Sequence, residues 1–430
     1  MGVIGTGYLG ATHAAGMAQL GHEVVGVDVD PARIAVLAGG TAPFFEPGLG
    51  ELLSRNVSAG RLRFTTSIAD AAKSADVHFV CVGTPQRTDS PAWDTTHVER
   101  AFTELAAHLD HSALVVGKST VPVGTASRMA ALVKEYAPAG SRVEVAWNPE
   151  FLREGQGVAD TLSPDRLVFG VTSGWAEEML RLAYQPIVAA GTPLVVTDLA
   201  TAELVKTAAN AFLATRISFV NGMADLCAAA GADVLALARA LGHDARIGPL
   251  FLRPGPGFGG GCLPKDLRGL TTRARELGAV EAAALLEAVD RLNLHRRARV
   301  VGLGRSLAGG YRGARVCVLG ASFKAGTDDI RDSPALDVAL RVQAEGADVV
   351  VYDPVAGPGV RRAYPMLPVA FVLDEAAREA DLVLVLSEWD EFRSLDPVAL
   401  GHLVRRRNVV DARYLLDASR WRAAGWVHES

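Results

Sequence analysis

The sequence predicts an α/β chain: two doubly wound parallel domains joined by a central all-helical domain with one long helix. Three observations predict it. Short apolar runs alternate with glycine turns and helical patterns at both ends of the chain. The stretch between them has helical periodicity and no strand-like run. The last part repeats the element order of the first. The expected domains are 1–199, 200–310 and 311–430.

The elements follow in order. "GVIG" is a first strand, short because only Val3 and Ile4 precede the glycines, so a few residues ahead of Met1 are expected to be absent from this version of the chain. "TGYLGATHAAGMAQLG" is a small-residue helix ending at Gly21, and "HEVVGVDVD" is the next strand. "DVHFVCVGTP" and "ALVVGKST" are further buried strands of a parallel sheet. "WNPEFLREG" predicts a short helix, with Asn148 as cap, Pro149 at the first helical position and Gly155 as stop; Glu150 and Glu154 then project from one turn. From about Asp198 the chain turns helical: "LATAELVKTAANAFLATRISFVNGMADLCAAAG" has no proline and no break before Gly222. "ADVLALARALG" and "LRGLTTRARELG" continue it, and "VEAAALLEAVDRLNLHRRARVVGLGRSLAGG" reads as one extended helix. Then "ARVCVLG" answers "GVIG", "GADVVVYDP" answers "HEVVGVDVDP", and "EADLVLVLSEW" answers "SADVHFVCVGTP". In open α/β sheets ligands sit beyond the carboxyl ends of the strands, so two such sheets imply two ligand edges.

The chain has 430 residues, 49% apolar and 21% charged, with a formal net charge of −5. That balance is globular and gives no electrostatic case for nucleic acid or an anionic membrane. No uncharged apolar run reaches membrane-spanning length, and no signal-like block opens the chain. Cys81, Cys227, Cys262 and Cys317 are far apart, with neither CxxC nor metal-like spacing. No metal and no disulfide framework is expected, and a reducing cytoplasm fits best. Cys81, Cys227 and Cys317 sit in apolar runs and read as small buried hydrophobes.

Two motifs carry chemistry. Gly5, Gly7 and Gly10 lie between a strand and a helix, and Asp28 ends the next strand roughly 20 residues on. The glycines let backbone N–H groups and a helix N-terminus meet a pyrophosphate. Asp28 can accept both adenosine ribose hydroxyls and would repel a 2′-phosphate, favouring NAD over NADP, although nearby Arg33 could welcome that phosphate. The second motif is "GPGFGGGCLPKD", Gly255 to Asp266. Pro264 favours a helix start, which puts Cys262 at a helix N-terminus beside Lys265; both effects lower a thiol pKa. The glycines would let a bulky substrate approach. An inert turn cysteine is the alternative.

The motifs "GTGYLG", "VGTP", "KSTVPVGT", "NPEFLREG", "ELVKTAANAF", "RIG", "GFGGGCLPKD", "SFKAGTDDIRDSP" and "DAR" occur in the order seen in the UDP-glucose/GDP-mannose dehydrogenase family, which this chain resembles over essentially its whole length. The resemblance implies two Rossmann-like domains, NAD as cofactor and a nucleotide-sugar substrate. It implies four-electron oxidation of the sugar's primary alcohol to a carboxylate through a thiohemiacetal and thioester on Cys262. The likeness is greatest to the UDP-glucose branch, with the base left open among UDP, dTDP and GDP.

Catalytic roles then fall to Cys262, Lys206, Asn210, Asp266, Glu150 and Thr120. Lys206 would stabilise an oxyanion, and Asn210 would hold a hydroxyl or water. Asp266 would polarise a water shared with Lys206 and Thr120, and Glu150 would activate water for thioester hydrolysis. Tyr8, Leu9, Thr84, Thr120, Glu154, Lys265 and Arg331 join the glycines, Asp28 and Arg33 around the cofactor. Phe151, Leu152, Arg153, Phe251, Leu252, Arg253, Phe258, Gly259, Phe323, Lys324 and Arg413 join Glu150, Lys206 and Asn210 along the substrate. Family members often carry a lysine where Arg253 stands. Arg246 is expected to serve a neighbouring subunit, which implies at least a homodimer built on the long helix.

Each residue also has a plain reading. Lys206 can pair with Glu203 on a solvated helix face, and Asp266 can simply favour a helix start. Two other functions compete: a single-hydride hydroxyacid-type dehydrogenase, and a nucleotide-sugar sensor that catalyses nothing. The second dinucleotide-like domain and the glycine-flanked cysteine count against the first, and a sensor needs no nucleophile.

Overall fold

A computed structural model describes all residues, 1–430. Packing divides the chain into two compact units, Met1–Ala209 and Asn210–Ser430, each built on one sheet.

The first unit has eight strands: β1 (Gly2–Ile4), β2 (Val24–Val27), β3 (Leu62–Thr65), β4 (Val77–Val80), β5 (Ala113–Gly117), β6 (Val143–Trp147), β7 (Leu167–Gly170) and β8 (Leu194–Thr197). Their order is β3-β2-β1-β4-β5-β6-β7-β8. The first six follow the doubly wound order and are parallel; β7 runs antiparallel to β6, with Trp147 opposite Gly170. The central strands are buried on both faces because alternate residues serve different cores. On β5, Ala113 and Val115 pack with Phe102 and Trp147, while Leu114 and Val116 pack with Met17 and Phe79.

The second unit carries six strands: β9 (Arg315–Leu319), β10 (Asp348–Tyr352), β11 (Val369–Ala370), β12 (Leu382–Val385), β13 (Asn408–Asp411) and β14 (Val427–Glu429). All neighbours are parallel, in the order β11-β10-β9-β12-β13-β14. Relabelled from one, this is again the doubly wound order, so the duplication expected from the sequence is present. Here too alternation splits the strand: Val316 and Val318 face one core, Cys317 and Leu319 the other.

Four helices lie between β8 and β9: Leu199–Ala230, Val234–Gly242, Leu263–Glu276 and Val280–Ala308. The first runs through Gly222 without a break for 32 residues. No helix is long and apolar enough to cross a membrane.

Gly117 ends β5 beneath Trp147. A Cβ there would lie 2.0 Å from the indole, whose ring is fully buried and stacked on Phe102. Gly117→Ala must therefore displace the ring, and should cost about 1–3 kcal/mol. A thermal melt followed by near-UV circular dichroism checks this; an unshifted transition would mean that the ring gives way freely.

Candidate functional site

In the first unit, Gly5 has a left-handed φ of +90° and donates its N–H to Val27, which turns the chain sharply off β1. The helix Tyr8–Gln19 then starts with Gly7 at its cap, and neither a capping side chain nor a first-turn acid occupies that end. A Cβ on Gly10 would lie 1.7 Å from the Gly5 carbonyl oxygen, so Gly10 is fixed by helix–turn packing. A Cβ on Gly7 would meet nothing of the protein within 4 Å. The space over Gly7, at an uncapped helix N-terminus, fits a dinucleotide pyrophosphate.

Asp28 follows β2 and is buried. Its Oδ2 accepts the Thr6 N–H at 2.8 Å and the Arg33 guanidinium at 2.9 Å, and its Oδ1 accepts the Asp30 N–H at 3.1 Å. Burial alone would raise its pKa; those N–H groups and Arg33 outweigh it and hold the carboxyl below its usual range. Arg33 thus serves Asp28 as its ion-pair partner. The loops after β4 and β5 join where Thr84 Oγ1 donates to the Thr120 carbonyl at 2.7 Å.

The segment "WNPEFLREG" is not a helix, which corrects the expectation above. Asn148 caps nothing: its Oδ1 accepts from Lys118 Nζ and the Tyr184 hydroxyl, and its Nδ2 donates to Val168. Carboxylates take the backbone N–H groups that a helix would have used. Glu150 Oε1 accepts from Phe151 and Leu152 at 2.6 Å, Asp160 accepts from Arg153 at 2.7 Å, and Glu46 accepts from Gly155 and Gly157 at 2.7 Å. The helix starts only at Gly157 and ends at Leu162. Arg153 is also ion-paired to Asp160, and Glu154 is half-buried in the same loop.

Lys206 lies on the Leu199–Ala230 helix with its Nζ 5.7 Å from the Phe151 ring centre. The plain reading of a Lys206–Glu203 surface pair does not describe it. Glu203 is buried and accepts the N–H groups of Gly124 and Ala126 at the start of the Thr125–Tyr136 helix. Burial raises its pKa despite those bonds.

In the second unit, Cys262 is the N-cap of the Leu263–Glu276 helix, with Pro264 in its first turn, and it is exposed. By contrast Cys81, Cys227 and Cys317 are buried, and burial pushes the Cys81 and Cys317 thiols up to about 12. Asp266, 1% exposed, accepts Asn210 Nδ2 at 2.6 Å and Lys265 Nζ at 2.7 Å. Lys265 is therefore paired with an acid beside the thiol, which tempers its pull on the sulfur.

The glycines of this loop have a packing reason, and the expectation that they serve substrate approach is not needed to explain them. Cβ atoms on Gly257, Gly259, Gly260 and Gly261 would lie 2.5 Å from Asn293 Oδ1, 2.3 Å from the Asp332 carbonyl oxygen, 3.0 Å from Phe323 and 2.4 Å from the Arg331 guanidinium. Buried side chains grip the loop. Asn293 bonds both the N–H and the carbonyl of Phe258, Arg297 bonds that same carbonyl, and Asn221 and Arg296 bond the N–H and carbonyl of Gly255.

The residues assigned to the nucleotide diphosphate divide. Arg413 donates to the carbonyls of Leu386 and Phe323 and pairs with Glu388 at 3.0 Å; Arg253 donates to the Tyr414 carbonyl. These two arginines and Phe323 lie together, with Lys324 Nζ 5.7 Å from the Phe323 ring centre. Burial lowers the pKa of Arg253. Leu252 and Phe258 are buried, while Phe251 is exposed with a strained φ of 60°. Arg331 forms an ion pair with Asp329, and Arg246 points outward, 89% exposed and paired with Asp244. Sequence reasoning passed over Lys118, Tyr184, Glu46, Asn221, Asn293, Arg296 and Arg297. The available signal was a polar group on an otherwise apolar face: Asn293, Arg296 and Arg297 share one side of the Val280–Ala308 helix.

The glycine cradle, the strand-end carboxylate and the second sheet with its arginine cluster define an NAD-dependent dehydrogenase of nucleotide-linked substrates. The matches agree by segment: residues 1–188 match the NAD binding domain of the UDP-glucose/GDP-mannose dehydrogenase family, 200–295 its central domain and 317–418 its UDP binding domain. The chain belongs to that family and is an NAD-dependent nucleotide-sugar dehydrogenase. It is 42% identical to the UDP-glucose 6-dehydrogenase of Rhizobium meliloti over 96% of this chain and 94% of that one. It is 38% identical to a UDP-glucose 6-dehydrogenase of Bacillus subtilis over 100% of this chain and 92% of the other. Among solved structures, a UDP-glucose dehydrogenase from the hyperthermophilic archaeon Pyrobaculum islandicum superposes with a TM-score of 0.93 at 37% identity, covering 100% and 96% of the two chains.

Gly7→Ala should leave the melting temperature unchanged and weaken NAD binding about tenfold or more, because its Cβ fills ligand space and nothing else; titration of the protein with NAD checks this. Asp28 has a folded pKa below its ordinary 3.8, so its contribution to stability is present above that value and lost as pH falls through the folded pKa. The stability gap between the wild type and Asp28→Asn should therefore hold near neutrality and close on acidification, as measured by denaturation at several pH values.

Proposed function

We propose that the chain oxidises UDP-glucose at C6 to the uronic acid, holding the sugar on Cys262 between two hydride transfers. The observation that carries this reading is the placement of Cys262: exposed, at a helix N-terminus, in a loop clamped at its backbone. The names of the relatives supply the sugar nucleotide.

The roles follow from chemistry. NAD supplies the hydride acceptor for both oxidations. Asp266 and Lys206, with Thr120 and Asn210, take the alcohol proton through a shared water while C6 gives up a hydride. The Cys262 thiolate adds to the resulting aldehyde, and Lys206 stabilises the oxyanion of the thiohemiacetal. Loss of a second hydride and the hydroxyl proton leaves a thioester. Water, deprotonated by Glu150, attacks it; the C–S bond breaks, and acid and thiol are released. Phe323, Lys324, Arg253 and Arg413 bind the nucleotide diphosphate, and Arg331 reaches the cofactor.

The active form is a homodimer or larger. Phe212, Phe219 and Leu226 are exposed at seven-residue spacing on the Leu199–Ala230 helix, a stripe suited to a second copy, and Arg246 extends outward to complete the neighbour's site. A reducing cytoplasm suits a chemistry that depends on a thiol.

NADH counting across a panel of nucleotide sugars should give two NADH per UDP-glucose; one NADH with an aldehyde product would establish the single-hydride alternative. Cys262→Ala should retain NAD and UDP-glucose binding and lose carboxylate production. Normal turnover in that variant would overturn the mechanism, and Cys262→Ser should trap an ester visible by intact mass.

A further inference from the structure

Lys118 follows β5 and is 4% exposed. An ammonium has three N–H donors, and Lys118 Nζ has three oxygen neighbours: Asn148 Oδ1 at 2.8 Å, the Tyr184 hydroxyl at 3.2 Å and Glu150 Oε2 at 3.2 Å. Two of these are themselves fixed. Asn148 bonds Val168 and Gly117, and Tyr184 donates to Asn148 and packs against Phe79 and Phe169. The third, Glu150, uses Oε1 for the N–H groups of Phe151 and Leu152, so Oε2 is the oxygen that faces Lys118. The other titratable groups facing Lys118 are His13 and Cys81; Asp160, Asp165 and Arg166 line the cavity that Lys118 shares with Glu150.

We infer that Lys118 is a positioning residue for the hydrolytic half-reaction, holding the Glu150 carboxylate aimed so that Oε2 can take a proton from the water that attacks the thioester. This deepens the role proposed for Glu150 and rests on it. In the balanced step the water oxygen bonds to the thioester carbon, Oε2 receives its proton, the C–S bond breaks, and the thiolate leaves with the electron pair. Burial alone would lower the Lys118 pKa; Glu150, with Tyr184 and Cys81, outweighs it and keeps the ammonium charged.

Lys118→Met should bind NAD normally and still release its first-turnover NADH as a burst. Steady-state kcat should then fall about tenfold or more, and an acyl adduct on Cys262 should accumulate by intact mass. Lys118→Arg should recover part of the rate. Wild-type turnover in Lys118→Met, with no adduct, would overturn the inference. If that variant does not fold, Lys118→Gln, which keeps polar contacts without charge, is read in the same way. If neither folds while the neutral pair Lys118→Met/Glu150→Gln does, Lys118 is a structural counter-ion alone and the inference fails. Glu150→Gln separates the two ideas. Absence of an adduct there removes Glu150 as base, whereas an adduct there but none in Lys118→Met removes only the part assigned to Lys118.

Discussion

The glycine–proline loop ahead of Cys262 cannot hold itself, and the placement of the thiol depends on the side chains that hold it from outside. Glycine loses more conformational freedom on folding than any other residue. Against that stand the bonds from Asn221, Asn293, Arg296 and Arg297 to the backbone of Gly255 and Phe258. Each contributes about 1 kcal/mol net, and more where the donor is charged. Their larger effect is negative: with one bond missing, a buried peptide group loses its partner, so alternative loop conformations are expensive. Arg297 also pairs with Asp332, whose carbonyl abuts Gly259, so the same guanidinium fixes the loop and the segment packed on it.

The two sheets repeat one device. In each, a glycine with positive φ leaves the first strand and donates to the end of the second, Gly5 to Val27 and Gly320 to Tyr352. In each, an aspartate closing that second strand gathers the turn's N–H groups: Asp28 takes Thr6, and Asp353 takes Ala321 and Ser322. Beyond that the copies part. Ser322 stands where the first copy has Gly7, and the next helix begins only at Pro334. The second copy keeps the turn and loses the open helix start that receives a pyrophosphate. Arg413 instead follows β13 of this second sheet and donates to the Leu386 and Phe323 carbonyls, and Arg253 donates to the Tyr414 carbonyl.

The fold was legible in the sequence because its signals are local and periodic: alternating apolar strands, the 32-residue helix without proline, the glycine turn with its aspartate. The helix start at Cys262 was legible for the same reason, through Pro264. What escaped were decisions made by distant partners. "NPEFLREG" has every local mark of a short helix, yet Glu46, far back in the sequence, and Asp160, a short way beyond the segment, claim its N–H groups. The grip on the cysteine loop was hidden likewise, since Asn293 and Arg297 look like an ordinary polar stretch until the loop is packed over them. Of the site itself, residue types were readable and their partners were not: Asp266 reads as a base, but only the structure shows both its oxygens engaged by Asn210 and Lys265.

Four buried carboxylates in this chain are turn builders. Asp28, Glu46, Glu203 and Asp353 each accept at least two backbone N–H groups, and none of them needs a ligand to explain its burial. Glu150, half-buried, resembles them through Oε1, while its Oε2 meets an ammonium that is itself buried, where Asp28 pairs with the partly exposed guanidinium of Arg33. Building the turn needs only the first oxygen. Burying an ammonium to meet the second costs desolvation on both sides, and an apolar pair of the same volume would cost less. A buried ammonium, with Asn148 and Tyr184 spent on its remaining protons, is what separates Glu150 from the other acids of the unit, and the role proposed for its outer oxygen rests on that difference.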